Sequence, residues 1–252
     1  MNVIRSILFY LGYGVIMLIT GLIVAPIALL TSKHRRFRIL NFYNYSIMLW
    51  LRITCGIRIN VHGKRDLPDA PCIIISNHQS EWETLYLQLL KPPTCTVLKK
   101  ELLKIPVFGW LLRLINPIAI DRSHPSKAFK AMMKGGQERV QEGFSVLMFP
   151  EGTRVTPGDR KPFSKSGVMM AQKAGAQIIP VAHNGGEHWL TGSWIKKPGV
   201  IDVVVGEAID TVGRPVNDVQ DEVVGWIDAQ LDEIISVPRP QESLKKAGGD
   251  SA

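Results

Sequence analysis

Between Ser6 and Leu30 the chain runs for about 25 residues without a charge, ILFYLGYGVIMLITGLIVAPIALL at its heart. As a helix rising 1.5 Å per residue, that run is long enough to cross the ~30 Å hydrocarbon layer of a bilayer. It ends at KHRRFR, Lys33 to Arg38, a cluster that the positive-inside bias keeps on the cytoplasmic side. A secretory signal peptide has an apolar region of only about 7–15 residues before a small-residue cleavage site, so the run is too long for one. Pro26, with Gly12, Gly14 and Gly21, leaves a second membrane arrangement open, a bent or re-entrant pair of helices lying in one leaflet.

From Phe37 to Cys55 apolar residues (Ile39, Leu40, Phe42, Tyr43, Ile47, Trp50, Leu51, Ile53) interleave with basic ones. This predicts an interfacial amphipathic helix, the alternative being a core helix of the following domain. After Gly56 short apolar stretches of β type recur at 57–61, 72–75, 95–98, 117–120, 145–149, 178–182 and 200–205. Helical patterns lie between them at 81–90, 107–115, 125–141 and 165–174, and strand alternating with helix argues for an α/β sandwich around one sheet. Gly135 and Gly136 interrupt the third helix with no reason visible in the sequence. A last amphipathic helix spans 216–235, and the tail from Pro238, rich in Pro, Gly and charge without apolar period, reads as disordered. The chain therefore divides into an anchoring segment (1–56), one α/β domain (57–237) and a tail (238–252).

Charge sharpens this picture once it is located. The chain carries a net +8. The first 65 residues hold nine Lys and Arg and no acid, so they carry +9, and the remainder −1. Positive charge flanking an apolar segment suits an anionic phospholipid surface and argues against a nucleic-acid partner. Cys55, Cys72 and Cys95 are widely spaced and form no CxxC or Cys/His metal pattern, which predicts free thiols in a reducing compartment.

Two segments carry candidate chemistry. In NHQSEWET (Asn77 to Thr84) Ser80 and Glu83 have the spacing of a helix-start capping box, in which Glu83 accepts a hydrogen bond from the backbone of Ser80. The same geometry turns the carboxylate back toward the strand end, where His78 lies outside the helix. A carboxylate that fixes one imidazole nitrogen leaves the other free to take a proton from a hydroxyl, so a substrate alcohol can supply the nucleophile. Farther on, the strand 145–149 opens into PEGTR, Pro150 to Arg154, with Arg160, Lys161 and Lys165 close behind. Such a loop is either an anion cradle or a turn with a solvated basic rim.

NHQSEWET, NPIAIDR (Asn116 to Arg122), FPEGTR (Phe149 to Arg154) and IPVA (Ile179 to Ala182), in this order, resemble the four sequence blocks of the glycerolipid acyltransferases. KKELLKIPVFGW (Lys99 to Trp110) is similar to that family's stretch between its first two blocks. The resemblance covers about residues 60–210, and four ordered blocks are far more specific than any one. It implies an α/β domain around a mostly parallel mixed sheet. His78 then corresponds to the general base and Glu83 to its carboxylate partner, where the family more often has aspartate. Phosphate-binding groups fall on Arg122, on Glu151, Gly152, Thr153 and Arg154, and on Lys100, while Pro180 shapes the acyl-donor side. The implied reaction moves an acyl group from acyl-CoA or acyl carrier protein to the 2-hydroxyl of lysophosphatidic acid, giving phosphatidic acid, with no metal, no cofactor and no covalent intermediate. The implied location is a bacterial inner membrane, with the catalytic domain on the cytoplasmic face.

Other readings compete at three places. Cys72 lies in an apolar strand, where a thiol is inert, and a GxSxG elbow is absent. HNGGEHW (His183 to Trp189) lacks the spacing of HExxH or HxxEH, and its Gly-Gly pair breaks any helix, which predicts a loop bordering the cleft with Trp189 and Trp194 near the lipid surface. A lipid carrier without turnover would need the apolar segment but not His78, and an acyltransferase for another lysolipid would keep His78 but bind phosphate differently.

Overall fold

The computed structural model describes residues 1–64 and 66–239; beyond Arg239 the tail expected to be disordered lies outside the described residues. The apolar N-terminal run forms one helical rod from Asn2 to Leu29, made of α1 (Asn2–Ile19), a π-helical turn (Thr20–Val24) and α2 (Ala25–Leu29). Pro26 has no N–H to give to the turn before it, and the widening shows as the Ala25 N–H bonding to the Thr20 carbonyl five residues back.

The chain then turns and returns as α3 (Lys33–Cys55), ended by Gly56, whose left-handed φ of 69° lets its N–H close on the Arg52 carbonyl. This helix is both things its sequence allowed. One face buries Phe37, Tyr43, Ile47, Leu51 and Cys55 against the domain, and the other exposes Phe42, Tyr45, Leu49 and Ile53. α1 lies along α3, and the two are pinned where the Trp50 indole N–H donates to the Leu8 and Phe9 carbonyls (3.2 and 3.1 Å). The indole fits because residue 12 is glycine: a Cβ there would sit 2.1 Å from Trp50 Nε1.

Seven strands follow: β1 (Ile57–Gly63), β2 (Ile73–Ser76), β3 (Thr94–Lys99), β4 (Ile118–Ile120), β5 (Ser145–Met148), β6 (Ile178–His183) and β7 (Gly199–Val205). They form one sheet in the order β1-β7-β6-β2-β5-β3-β4, parallel except where β6 meets β7. The expected strand stretches all correspond. The helices α4 (Trp82–Tyr86), with a 3-10 turn after it (Leu87–Leu89), α5 (Phe108–Leu114), α6 (Pro125–Gln141), α7 (Ser166–Ala174), α8 (Gly185–His188) and α9 (Val216–Ile234) connect and flank the strands.

The central strands are apolar on both sides, and their alternation sorts residues between two cores. Ile73, Ile75, Val146, Met148 and Ile178 face α6, α7 and α9. Cys72, Ile74, Leu147, Ile179 and Val181 face α3, α4 and Phe9 of α1. The anchoring segment thus forms one layer of the sandwich. The Gly135-Gly136 pair also finds its reason: a Cβ would meet Ile118 of β4 at 2.9 Å from residue 135 and Met170 of α7 at 2.4 Å from residue 136, so α6 packs closely against both only with glycine there.

Replacing Gly12 by Leu will expel Trp50 and separate α1 from α3. We expect a loss of about 1–3 kcal/mol, read as a lowered unfolding temperature in detergent. Gly14→Leu, where nothing lies within 4 Å of the added Cβ, is the control and will leave the temperature unchanged.

Candidate active site

Five parallel strands deliver their C-terminal ends to one edge of the sheet, where open α/β sheets hold their ligands. Because β2 lies between β6 and β5, the loop after β2 is flanked by the loops that follow its neighbours. Proximity of the first, third and fourth sequence blocks follows from strand order.

His78 sits in the loop after β2, outside α4. Its Nδ1 is 2.8 Å from Glu83 Oε1, and the same oxygen accepts the backbone N–H groups of Gln79 (2.7 Å) and Ser80 (2.6 Å). Glu83 Oε2 accepts the Ser80 hydroxyl (2.5 Å), whose oxygen in turn accepts the Trp82 N–H (3.0 Å). Helix capping and histidine orientation are therefore one arrangement, not rivals. The reciprocal capping bond is replaced, because the Ser80 hydroxyl turns to the carboxylate.

Glu83 is fully buried. Burial by itself would raise its carboxyl, but in the acid range, where the imidazoles of His183 and His78 gain charge, their attraction, with the hydrogen bonds of His78 and the Ser80 hydroxyl, outweighs it and holds the group at about 2. An ionised Glu83 only accepts, so Nδ1 of His78 carries a proton and Nε2 is the ring nitrogen left for a substrate.

The loop after β5 supplies the rest of the histidine's setting. Phe149 stacks on the imidazole with centroids 4.3 Å apart and planes 15° from parallel. The Val155 N–H donates to the His78 carbonyl (2.7 Å). On the other side, Asn77 and His183 at the end of β6 clamp one another through Asn77 Nδ2 to the His183 carbonyl (2.9 Å) and the His183 N–H to Asn77 Oδ1 (3.0 Å). His183 Nδ1 accepts the Gly185 N–H (3.1 Å), so its Nε2–H donates to the Asn77 carbonyl (2.9 Å) and the ring is neutral. Burial pushes this imidazole down from its ordinary value, against the pull of Glu83.

A cavity of about 770 Å³ opens beside His78, within the ordinary range for small-molecule sites. Its polar mouth is formed by His78, Arg122, Gly152, Thr153 and Arg154, and its interior by Leu40, Tyr43, Leu98, Phe108, Leu111 and Met132 among others. Arg122 donates to the Gly152 carbonyl, bridging from the end of β4 across β3 to the loop after β5. Arg154 pairs with Glu81 at 2.6 Å. Each guanidinium is anchored on one side and keeps further donors for an anion. Gly152 adopts φ 71° with nothing within 4 Å of a would-be Cβ, so its backbone faces open cleft in a conformation that glycine favours.

Three expected substrate contacts lie elsewhere. Glu151 is turned inward, its Oε1 accepting the His78 backbone N–H at 3.0 Å, because a carboxylate beside a phosphate would repel it while a bare amide N–H wants an acceptor. Lys100 is exposed on the rim, 3.9 Å from Asp121, and its neighbour Lys99 lines the cleft instead. Pro180 is inside β6 in register with Ile75 and does not line the cavity. Of the two tryptophans expected at the lipid surface only Trp194 is exposed; Trp189 is buried against Phe9 (ring centroids 5.2 Å). In HNGGEHW the side chains part: His183 goes to Asn77, Glu187 to Ser236 and His188 to the Lys197 carbonyl.

A sequence model described as Acyltransferase matches residues 58–184. Over 250 residues the chain is 40% identical to the 1-acyl-sn-glycerol-3-phosphate acyltransferase of Pseudomonas aeruginosa, covering 94% of this chain and 96% of that protein. The chain belongs to the acyltransferase family. It is also 32% identical over 213 residues to the human 1-acyl-sn-glycerol-3-phosphate acyltransferase beta, with 81% of this chain and 77% of that one covered. Its fold is that of the crystal structure of the 1-acyl-sn-glycerophosphate (LPA) acyltransferase PlsC from Thermotoga maritima, with a TM-score of 0.78 over 92% of this chain and 95% of that one at 23% identity. The matched span of this acyltransferase runs from β1 to the residue after His183, and so encloses every residue at the mouth of the cleft.

Sequence reasoning missed Phe149, Asn77, His183 and Glu81 as parts of this setting. Phe149 and Asn77 stand inside the quoted blocks, but only the strand order shows that Phe149 meets His78 and Asn77 meets His183.

Glu83 carries its charge at lower pH in the folded chain than in the unfolded one, so its contribution to stability is complete above about 4.5 and is lost as pH falls toward about 2. Relative to Glu83→Gln, wild type will be more stable by about 3 kcal/mol at neutral pH, and the gap measured by denaturant unfolding will narrow below about pH 4.5.

Proposed function

We propose that this acyltransferase moves a fatty acyl group from an acyl thioester, acyl-CoA or acyl carrier protein, to the 2-hydroxyl of 1-acylglycerol-3-phosphate, forming phosphatidic acid. The single observation that carries the reading is an oriented His78, its Nδ1–H on a buried, ionised Glu83, in the same cleft as Arg122, Arg154 and the Gly152-Thr153 backbone. The names of the similar proteins support the same acceptor.

In this reading the acceptor's phosphate rests at the cationic mouth and its chain enters the apolar interior. His78 Nε2 takes the proton of the 2-hydroxyl as its oxygen attacks the thioester carbonyl. The tetrahedral intermediate collapses, the carbon–sulfur bond breaks, and the imidazolium returns the proton to the leaving thiolate. Glu83 stabilises the imidazolium between these steps and fixes the tautomer. The chemistry calls on no metal and no cofactor.

Replacing His78 by Ala will lower kcat by about 10²–10⁴-fold, measured by product mass with lysophosphatidic acid and an acyl-CoA; unchanged turnover would sink the assignment. Arg154→Ala will raise the apparent KM for lysophosphatidic acid more than for acceptors lacking phosphate. Equal effects on both would favour a different lysolipid acceptor. Parallel assays with acyl-CoA and acyl carrier protein thioesters identify the donor.

The anchor reads most simply as a one-leaflet hairpin on the cytoplasmic face. α3 is buried against the sheet from Phe37 to Cys55, and α1 is tied beside it from Arg5 to Phe9, with Ser6 Oγ accepting the Lys196 N–H (2.8 Å). The exposed apolar faces of both helices then lie in the bilayer and the basic cluster at its surface. Single cysteines placed at Asn2 and at Ser32, in a chain whose native cysteines are replaced, will be labelled from the same side of the membrane. Labelling from opposite sides would establish spanning.

A further inference from the structure

Glu151 was expected at the substrate phosphate, and the structure gives it other work. Its side chain is nearly buried, outside the main cleft, and Oε1 accepts the backbone N–H of His78 at 3.0 Å. Four residues on, the Val155 N–H donates to the His78 carbonyl at 2.7 Å. One loop therefore holds both polar groups of the histidine's main chain while Phe149 stacks on its ring. Glu83 fixes rotation about the ring but cannot fix where the residue itself stands. That position is set by the clamp from Glu151 and Val155.

We propose that Glu151 is a positioning residue for the base His78, acting through the His78 amide, and makes no contact with the acceptor phosphate. The proposal rests on the reading of His78 as base. The other oxygen, Oε2, is buried with no partner among the described residues, and Glu151 lines a second, small cavity of about 50 Å³. Burial, above all, pushes the carboxyl up to about 8, assisted by the negative charge of Glu83 and opposed by the His78 N–H, the backbone N–H of Glu151 and Lys161. The charged groups bordering the small cavity are Asp159, Arg160 and Lys161 of the same loop, Asp228 of α9 and Arg239. Arg160 and Arg239 are both engaged with Asp228 and Asp232, and Arg160 Nε, like Glu151 Oε2, has no partner among the described residues.

A carboxyl raised in the folded state binds its proton where the unfolded chain has already released it, so stability falls with rising pH between about 4.5 and about 8. Gln is isosteric with the protonated acid, keeps an acceptor for the amide and does not ionise.

The test compares wild type, Glu151→Gln, Glu151→Ala and His78→Ala as full-length protein in detergent, with lysophosphatidic acid and an acyl-CoA. We expect Glu151→Ala to lower kcat on the order of 10²-fold, as a displaced base does, with acceptor KM nearly unchanged, and Glu151→Gln to restore kcat. The Gln variant will unfold at a higher temperature than wild type at about pH 9. A raised acceptor KM with kcat intact in the Ala variant would overturn the proposal in favour of phosphate contact. A Gln variant as inactive as the Ala variant, though folded by circular dichroism, would overturn the proposal, because Gln keeps the acceptor.

The His78 amide gives an activity-independent readout through hydrogen exchange in 15N-histidine-labelled protein, its signal assigned by its loss in His78→Gln. Protection kept in Glu151→Gln and lost in Glu151→Ala supports the clamp; protection unchanged in Glu151→Ala refutes it. Activity surviving in His78→Ala would refute the base assignment instead, and the amide measurement would still decide what Glu151 holds.

Discussion

A buried carboxylate with four donors around it is the constraint on which this molecule's active edge depends. Removing Glu83 from water is costly unless each lone pair is met. The loop between β2 and α4 meets them with the imidazole of His78, two successive backbone N–H groups and the Ser80 hydroxyl. The cost of burial and the demand for partners together leave the loop one shape. In that shape the histidine points its free nitrogen at the cleft. Folding and chemical orientation are satisfied by the same bonds.

The second constraint is strand order. A residue in one loop can reach across a neighbouring strand only if that strand is adjacent, and β2 has β5 and β6 on its two sides. The β5 loop therefore offers Phe149, Glu151 and Val155 to His78, while the β6 end offers His183 to Asn77. Arg122 comes from farther away, and its hydrogen bond to the Gly152 carbonyl ties the two cationic segments together over the end of β3. The mouth of the cleft is a chain of loops, each held by the next.

Much of this was legible in the residues. Short continuous apolar runs marked the central strands, which two core layers bury on both faces, and a period of 3.6 marked the long helices. Ser80 and Glu83 announced a helix start, and the position of His78 outside it followed. What escaped the sequence is everything that requires knowing which strands are neighbours. The reversal of β1 and β7 relative to the other strands left no mark in composition. Nothing in PEGTR distinguishes a carboxylate turned outward from one turned inward, so Glu151 was assigned to the phosphate when the nearest unmet donor was the His78 amide. The Gly135-Gly136 pair looked like a flaw in a helix until Ile118 and Met170 appeared opposite it. Trp189 carried the composition of an interfacial residue and is packed against Phe9.

The place of α3 between the sheet and α1 has a practical side. Hydrophobic leaders are commonly trimmed from membrane proteins to obtain a water-soluble catalytic fragment. Here Phe9, Ile47 and Leu51 cover Ile74, Leu147 and Val181, so such a cut would strip the roof from the sheet directly beneath the reacting edge. Greasiness in this chain is structural before it is locational, and a soluble version calls for repainting the outward-facing side chains while leaving the helices where they are.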